Sequence, residues 1–384
     1  MSYAACGTVR GCLPGRTGPP GPQGPPGASG VPDGTAPSDY LYWNAVAREW
    51  NVGSISVRQG GFAGSESQGA QAVAVGFHAG QTLQGVSAVA VGSHAGTQAQ
   101  GDGAVAAGAY AGSVTQGTNA VALGNRAGQT RQGVSAVAVG SEAGNVDQGD
   151  SAVAVGTNAG RTSQGPTAVA VGAAAGYLNQ GENAIAVGLN AGNTSQGTNS
   201  VAVGSSAGSS AQGEFALAVG ASAGQTTQGA YAVALGPSAG SEDQGGYAVA
   251  VGALAGQTTQ GESAIAIGFQ AGMTTQGANA IAIGYGAGQV AQGENAVALG
   301  TSAGTNGQGA NAVAIGYLAG VSSSDTTPQP ANSIVINATG GYLPALQEGA
   351  FYVSPIRAVS DVTALSPLYY DPATGEIVAY SPPP

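Results

Sequence analysis

From residue 68 onward the chain repeats one hydrophobic–polar pattern, QGxxAVAVGxxAGxxx, as in "QGENAIAVGLNAGNTS" from Gln180. The glutamine recurs at Gln68, Gln84, Gln100, Gln116, Gln132, Gln148, Gln164, Gln180, Gln196, Gln212, Gln228, Gln244, Gln260, Gln276, Gln292 and Gln308. The spacing is always 16, with no insertion. Alternation of alanine with valine or isoleucine has the period of a strand. The glycines mark bends, where a side chain would clash or a positive φ is needed. A strand, a bend, a second extended piece and another bend close one coil in 16 residues. Such coils stack in parallel about 4.8 Å apart. The pattern therefore predicts an all-β, parallel β-solenoid, roughly 75 Å long over sixteen coils at that spacing.

Two expectations follow from stacking. Each glutamine sits under the next, so the glutamines should form a buried or half-buried amide ladder. In the first full coil Val73 and Val75 point one way, and Ala72 and Ala74 the other. The sequence suggests that the valines fill the coil. The alanine stripe, broken by Ser200, would then face outward, where three stripes could meet on a common axis.

A second pattern also comes in threes. Gly15, Gly18, Gly21, Gly24, Gly27 and Gly30 stand at every third residue, and the phase breaks at Asp33. Gly-x-y triplets with proline are collagen-like, and a collagen helix needs three chains. Cys6 and Cys12 precede the triplets. They read as reduced thiols in a tail, as interchain disulfides tying three N-termini together, or, with no His or further Cys nearby, least of all as metal ligands.

Composition narrows the function. The chain has 69 Gly, 42% apolar residues and 7% charged residues. That is too apolar for a disordered chain. Net charge is −11, with eight arginines and no lysine, so no nucleic-acid partner is expected. No long apolar run predicts a membrane span, and residues 1–15 lack an ordinary secretory signal.

The units "NAIAIGYGAGQ" (from Asn279) and "NSVAVGSSAGS" (from Asn199) resemble the head repeats of trimeric autotransporter adhesins, the YadA-like head. The likeness covers about residues 68–320, with degenerate coils at "SISVRQGGFAG" and "ANSIVINATG". It implies a trimer of left-handed parallel β-rolls that acts as an adhesin. The coiled-coil stalk and barrel anchor of those adhesins are not seen in this sequence. Collagen-like triplets joined to such repeats are similar to fibre proteins of large DNA viruses or phage tails.

Residues Leu41–Ser54 align without a gap with Leu368–Ser381, and both read as hairpins. The expected organisation is therefore a tail (1–14), a collagen-like stem (15–34), an N-terminal hairpin cap (35–54), the solenoid (55–324) and a C-terminal capping region with a final hairpin (325–384). Either the hairpins cap exposed strand edges, or one docks on a capsid or another fibre subunit through Trp43, Trp50, Tyr369 and Tyr370.

No catalytic, cofactor or metal site is expected. Glu66, Glu142, Asp147, Glu182, Glu214, Glu242, Glu262 and Glu294 occupy variable positions and read as solvated charge. His78 and His94 stand at equivalent positions of neighbouring coils and should stack, which could bring a transition metal between them or leave two surface histidines. Asn193 and Asn337 match the glycosylation acceptor pattern. Phe77, Tyr110, Tyr177, Leu178, Phe269, Tyr285 and Tyr317 are the expected contact surface.

The main functional reading is a non-enzymatic homotrimeric fibre or adhesin on a virion or cell surface, meeting a host glycan or protein. A tail fibre or tailspike recognising host glycans is the alternative. Ice binding needs a regular Thr row, and Val114, Val146, Leu178 and Glu242 interrupt the one at Thr226, Thr258 and Thr274.

Overall fold

The computed structural model describes residues 32–33, 39–44, 47–53, 55–323, 327–357 and 368–379. The glycine triplets at 15–30 and both cysteines lie outside the described residues.

The coil beginning at Gln180 shows how the sequence makes the fold. It has two three-residue strands, Ile185–Val187 and the next coil's entry Thr194–Gln196. Between Gln180 and the first strand, Ala184 N–H bonds Gly181 O at 3.3 Å, with Asn183 at φ 56°. Between the strands, Ala191 N–H bonds Gly188 O at 3.4 Å, with Asn190 at φ 55°. Asparagine tolerates this left-handed conformation better than most residues. Gly188 is needed for close approach as well, since a Cβ there would lie 2.6 Å from the carbonyl oxygen of Gly204 in the next coil.

Stacking turns these coils into two parallel sheets. The first runs strand by strand from Val57–Gln59 to Phe351–Ser354, pairing each coil only with its neighbours. The second is 15-stranded, from Glu66–Gln68 to Val290–Gln292, and continues as single bridges at Gln308 and Gln329. In-register pairs such as Ala170↔Ala186 and Gln180↔Gln196 explain the absence of insertions, because one added residue would break both ladders. The register is relaxed only near the end, where Val313 pairs with Ile334.

The solenoid is all-β, with about 18 coils. Its core differs from the sequence expectation. Ala72, Ala74 and Ala79 are fully buried, as are nearly all the alanines at equivalent positions, and the Ala74 and Ala79 series form one continuous cluster inside the solenoid. Ala186 is 0% exposed, whereas Ile185 is 38% exposed. The alanines therefore fill the coil, and the valines and isoleucines face out. The reason is thickness. In the coil interior a Cβ added at Gly192 would lie 3.2 Å from the Ala186 Cβ and 2.5 Å from Gln196 Oε1. Two opposed backbones approach too closely for a branched side chain between them.

The glutamines supply the rest of the interior, as the stacking argument expects. Gln180 Nε2 donates to Val169 O at 2.9 Å and to Gln196 Oε1 at 3.1 Å. The same bonds recur coil after coil, joining Gln84 to Gln100 and onward. From Gln68 to Gln308 each amide satisfies a backbone carbonyl 11 residues earlier and, except at Gln68 and Gln196, the side chain of the next glutamine in the ladder, so its burial leaves few polar atoms unpaired.

Both ends carry antiparallel hairpins. Tyr40–Asn44 pairs with Glu49–Gly53, and Leu368–Asp371 pairs with Glu376–Ala379. The first is tied to the solenoid: Tyr40 Oη donates to Ser56 O and accepts from Arg58 N. Arg58 stands where later coils have a core alanine, in register with Ala74. There its guanidinium donates to Gln68 Oε1, the first amide of the series, and lies 5.1 Å from the Tyr42 ring centre.

Candidate interaction surfaces

The outer face of the first sheet is the longest surface of one kind. Two branched or large apolar residues per coil project from it, such as Val73 and Val75, Ile185 and Val187, Ile265 and Ile267, and Ile281 and Ile283. Each is half-buried or exposed in the single chain. The stripe follows from period 2: once the alanines turn inward, their neighbours must turn outward. From Val73 onward the stripe thins only at Ala107, and a contiguous apolar patch of this size is of the kind that interaction sites carry.

Outside the stripe, positions at the turns stack on themselves. The rings of Phe62, His78, His94 and Tyr110 form one pile, with successive centroids 4.8, 5.1 and 4.7 Å apart. The expected stacking of His78 on His94 is therefore present. Nδ1 of His78 faces Gln81 Oε1, and that of His94 faces Ser93 Oγ. No group of three or more His, Cys, Asp or Glu that could hold a metal occurs among the described residues. A second pile joins Phe215, Tyr231 and Tyr247 at 5.0 and 5.1 Å. The sequence pattern did not single it out, although the three residues are 16 apart. Of the aromatic contact candidates, Phe77, Tyr110, Phe269, Tyr285 and Tyr317 are exposed. Tyr177 and Leu178 are half-buried, and the Tyr177 hydroxyl accepts from Arg161.

The variable-position acids are not all free in solvent. Glu142 accepts from Arg161 at 2.8 Å and lies 3.9 Å from Arg126. Arg131 forks onto Asp147, one coil away, and this hydrogen bond holds the Asp147 carboxyl below its usual range. The Arg126–Glu142 and Arg131–Asp147 pairs are 16 residues apart and Arg161–Glu142 is 19 apart, so each joins neighbouring coils.

The two acceptor-pattern asparagines are engaged by the backbone. Asn337 is buried, and its Nδ2 donates to Tyr317 O at 2.7 Å and Gly341 O at 2.6 Å. Asn193 Nδ2 donates to Ala174 O at 3.0 Å. At Asn337 both N–H groups are used in folding, including the one a glycan would replace, whereas half-buried Asn193 donates only one.

At the N-terminal end an open cavity of about 540 Å³ lies between the first hairpin and the first coil. Leu41, Tyr42, Trp43, Trp50, Arg58 and Phe62 are among its walls.

Coils of this length, two parallel ladders and an alanine core define a β-solenoid of the head β-roll type. The family model of the YadA head domain repeat matches residues 180–207, 260–287 and 291–319. Comparison with curated proteins and with solved structures finds no match. In these three segments the chain is thus similar to YadA head repeats. No helix among the described residues is long and apolar enough to cross a membrane.

Proposed function

We propose that the chain is a non-enzymatic, parallel homotrimeric fibre displayed on a virion or cell surface, for attachment or surface decoration. The observation that carries this reading is the outward stripe of Val, Ile and Leu. Three such stripes facing a common axis would remove it from water along the whole solenoid. Burying each of these side chains contributes about 1.5–3 kcal/mol at full burial, and in-register stacking repeats that gain coil after coil. The trimer reading thus rests on the branched side chains, not on the alanines. The collagen-like triplets at 15–30 support the same count, since they too require three chains. The exposed rings of Phe77, Tyr110, Phe269, Tyr285 and Tyr317 then supply contacts for a host glycan or protein.

Light scattering tests this. The expected mass is about three times the 36.5 kDa chain. Val187→Asp with Val203→Asp should lower it, because both side chains leave the coil and enter the interface. A wild-type mass of one chain would overturn the reading.

A further inference from the structure

The two hairpins share more than their turns. In the N-terminal hairpin Leu41 pairs with Val52 and Trp43 with Trp50. Alternation puts these four side chains on one face. Tyr40 and Tyr42, between them, carry the hydroxyls that reach the first coil. Trp43 and Trp50 meet edge to face, 5.6 Å apart, yet remain 51% and 43% exposed. In the C-terminal hairpin, Leu368, Tyr370 and Ile377 occupy the positions equivalent to Leu41, Trp43 and Trp50, and Tyr370 pairs with Ile377. They are 69%, 66% and 60% exposed. A similar apolar face is therefore built twice: in the first hairpin Leu41, Trp43 and Trp50 stay exposed along the open cavity while Val52 is half-buried, and in the last hairpin Leu368, Tyr370 and Ile377 stay exposed.

A two-stranded hairpin is marginal by itself in water and needs a covering surface. From these hairpin faces we infer that each is a self-association module: Leu41, Trp43, Trp50 and Val52 pack against the same hairpin of the other two chains, and Leu368, Tyr370 and Ile377 do likewise. This rests on the trimer reading. The occupant is a second copy because the Gly-x-y triplets end at Gly30, ten residues before Tyr40. Chains leaving a three-stranded collagen helix start those ten residues at one axis. Three N-terminal hairpins are then held at one level, close to that axis, each beside its own open cavity. The C-terminal hairpins meet in the same way, because parallel chains in register end at one level. The modules close both ends of the shaft and fix its register.

The test uses the full-length chain, whose two tryptophans both lie on the N-terminal face. Fluorescence is read together with mass. A trimer with blue-shifted emission and slow iodide quenching is expected. Leu41→Ser, which leaves both tryptophans in place, should redden the emission and speed quenching severalfold. In a Trp43→Phe/Trp50→Phe background, Tyr370→Trp should report the same burial at the other end. A trimer whose tryptophans emit and quench like the free amino acid would overturn this inference and leave the trimer reading intact. A monomer would overturn both. A mass above the trimer that returns to it on Tyr370→Ser/Ile377→Ser would show end-to-end joining, and would also overturn it.

Discussion

Gln180 donates its amide to Gln196 one coil further on, but Gln196 makes no such bond to Gln212, whose buried Oε1 has no partner. The interruption coincides with Ser200, where every neighbouring coil has alanine. Its hydroxyl donates to Gly197 O at 2.6 Å, inside the coil. A serine also follows the last glutamine by four residues: Gln329 donates to Ser333 Oγ at 3.1 Å, where the ladder ends. The ladder thus runs as two segments, Gln84 to Gln196 and Gln212 to Gln329. Removing the hydroxyl should join them. A buried acceptor without a partner costs about 1–3 kcal/mol, so Ser200→Ala is expected to raise the melting temperature. Amide exchange near Gln196 and Gln212 should slow with it; an unchanged melt and unchanged exchange would mean that the gap costs nothing.

The inward alanines predict a second outcome. Ala186→Leu forces an isobutyl group between Gly192 and Gln196, where not even a Cβ fits on the glycine. Overpacking usually costs about 1–3 kcal/mol, and this site has less room than most. The loss should appear in the melting of the solenoid itself, followed by circular dichroism. Leu189→Ser, on the exposed surface of the same coil, should change it by less than about 0.5 kcal/mol.

Asn337 offers a third. Its two short bonds to Tyr317 O and Gly341 O hold the chain where it leaves the first sheet. Material secreted from eukaryotic cells should carry no glycan on the folded protein at Asn337, as read by peptide mass. Asn337→Ala strands two acceptors and should cost about 1–3 kcal/mol.

The Arg131–Asp147 pair sets a sign for pH. Arg131 lowers the folded-state pKa of Asp147. The pair's contribution is therefore present above the usual carboxylate value of about 3.9 and is lost as pH falls through the depressed folded-state value. Both groups are solvent-exposed, so the contribution is small and screened by salt. Arg131→Gln should lower the melting temperature slightly at pH 7 in low salt, and the difference should vanish in acid. A difference that persisted in acid would assign it to packing of the arginine stem.

Much of this was legible before any coordinates. A 16-residue period without insertions determines a parallel solenoid, because stacked equivalents tolerate no slip. It also determines the glutamine ladder and the pile of His78 on His94, while the two hairpins were legible from the aligned segments Leu41–Ser54 and Leu368–Ser381. Period 2 divided the strand residues into an alanine face and a branched face. It could not say which face turned inward, since either choice satisfies the alternation. That was decided by the narrow gap inside the coil, where a Cβ added at Gly192 would lie only 3.2 Å from the Ala186 Cβ. Only coiling in three dimensions sets that distance. The same gap placed Arg58 at the open first coil, where a long side chain has room, and turned Val187 and its equivalents outward.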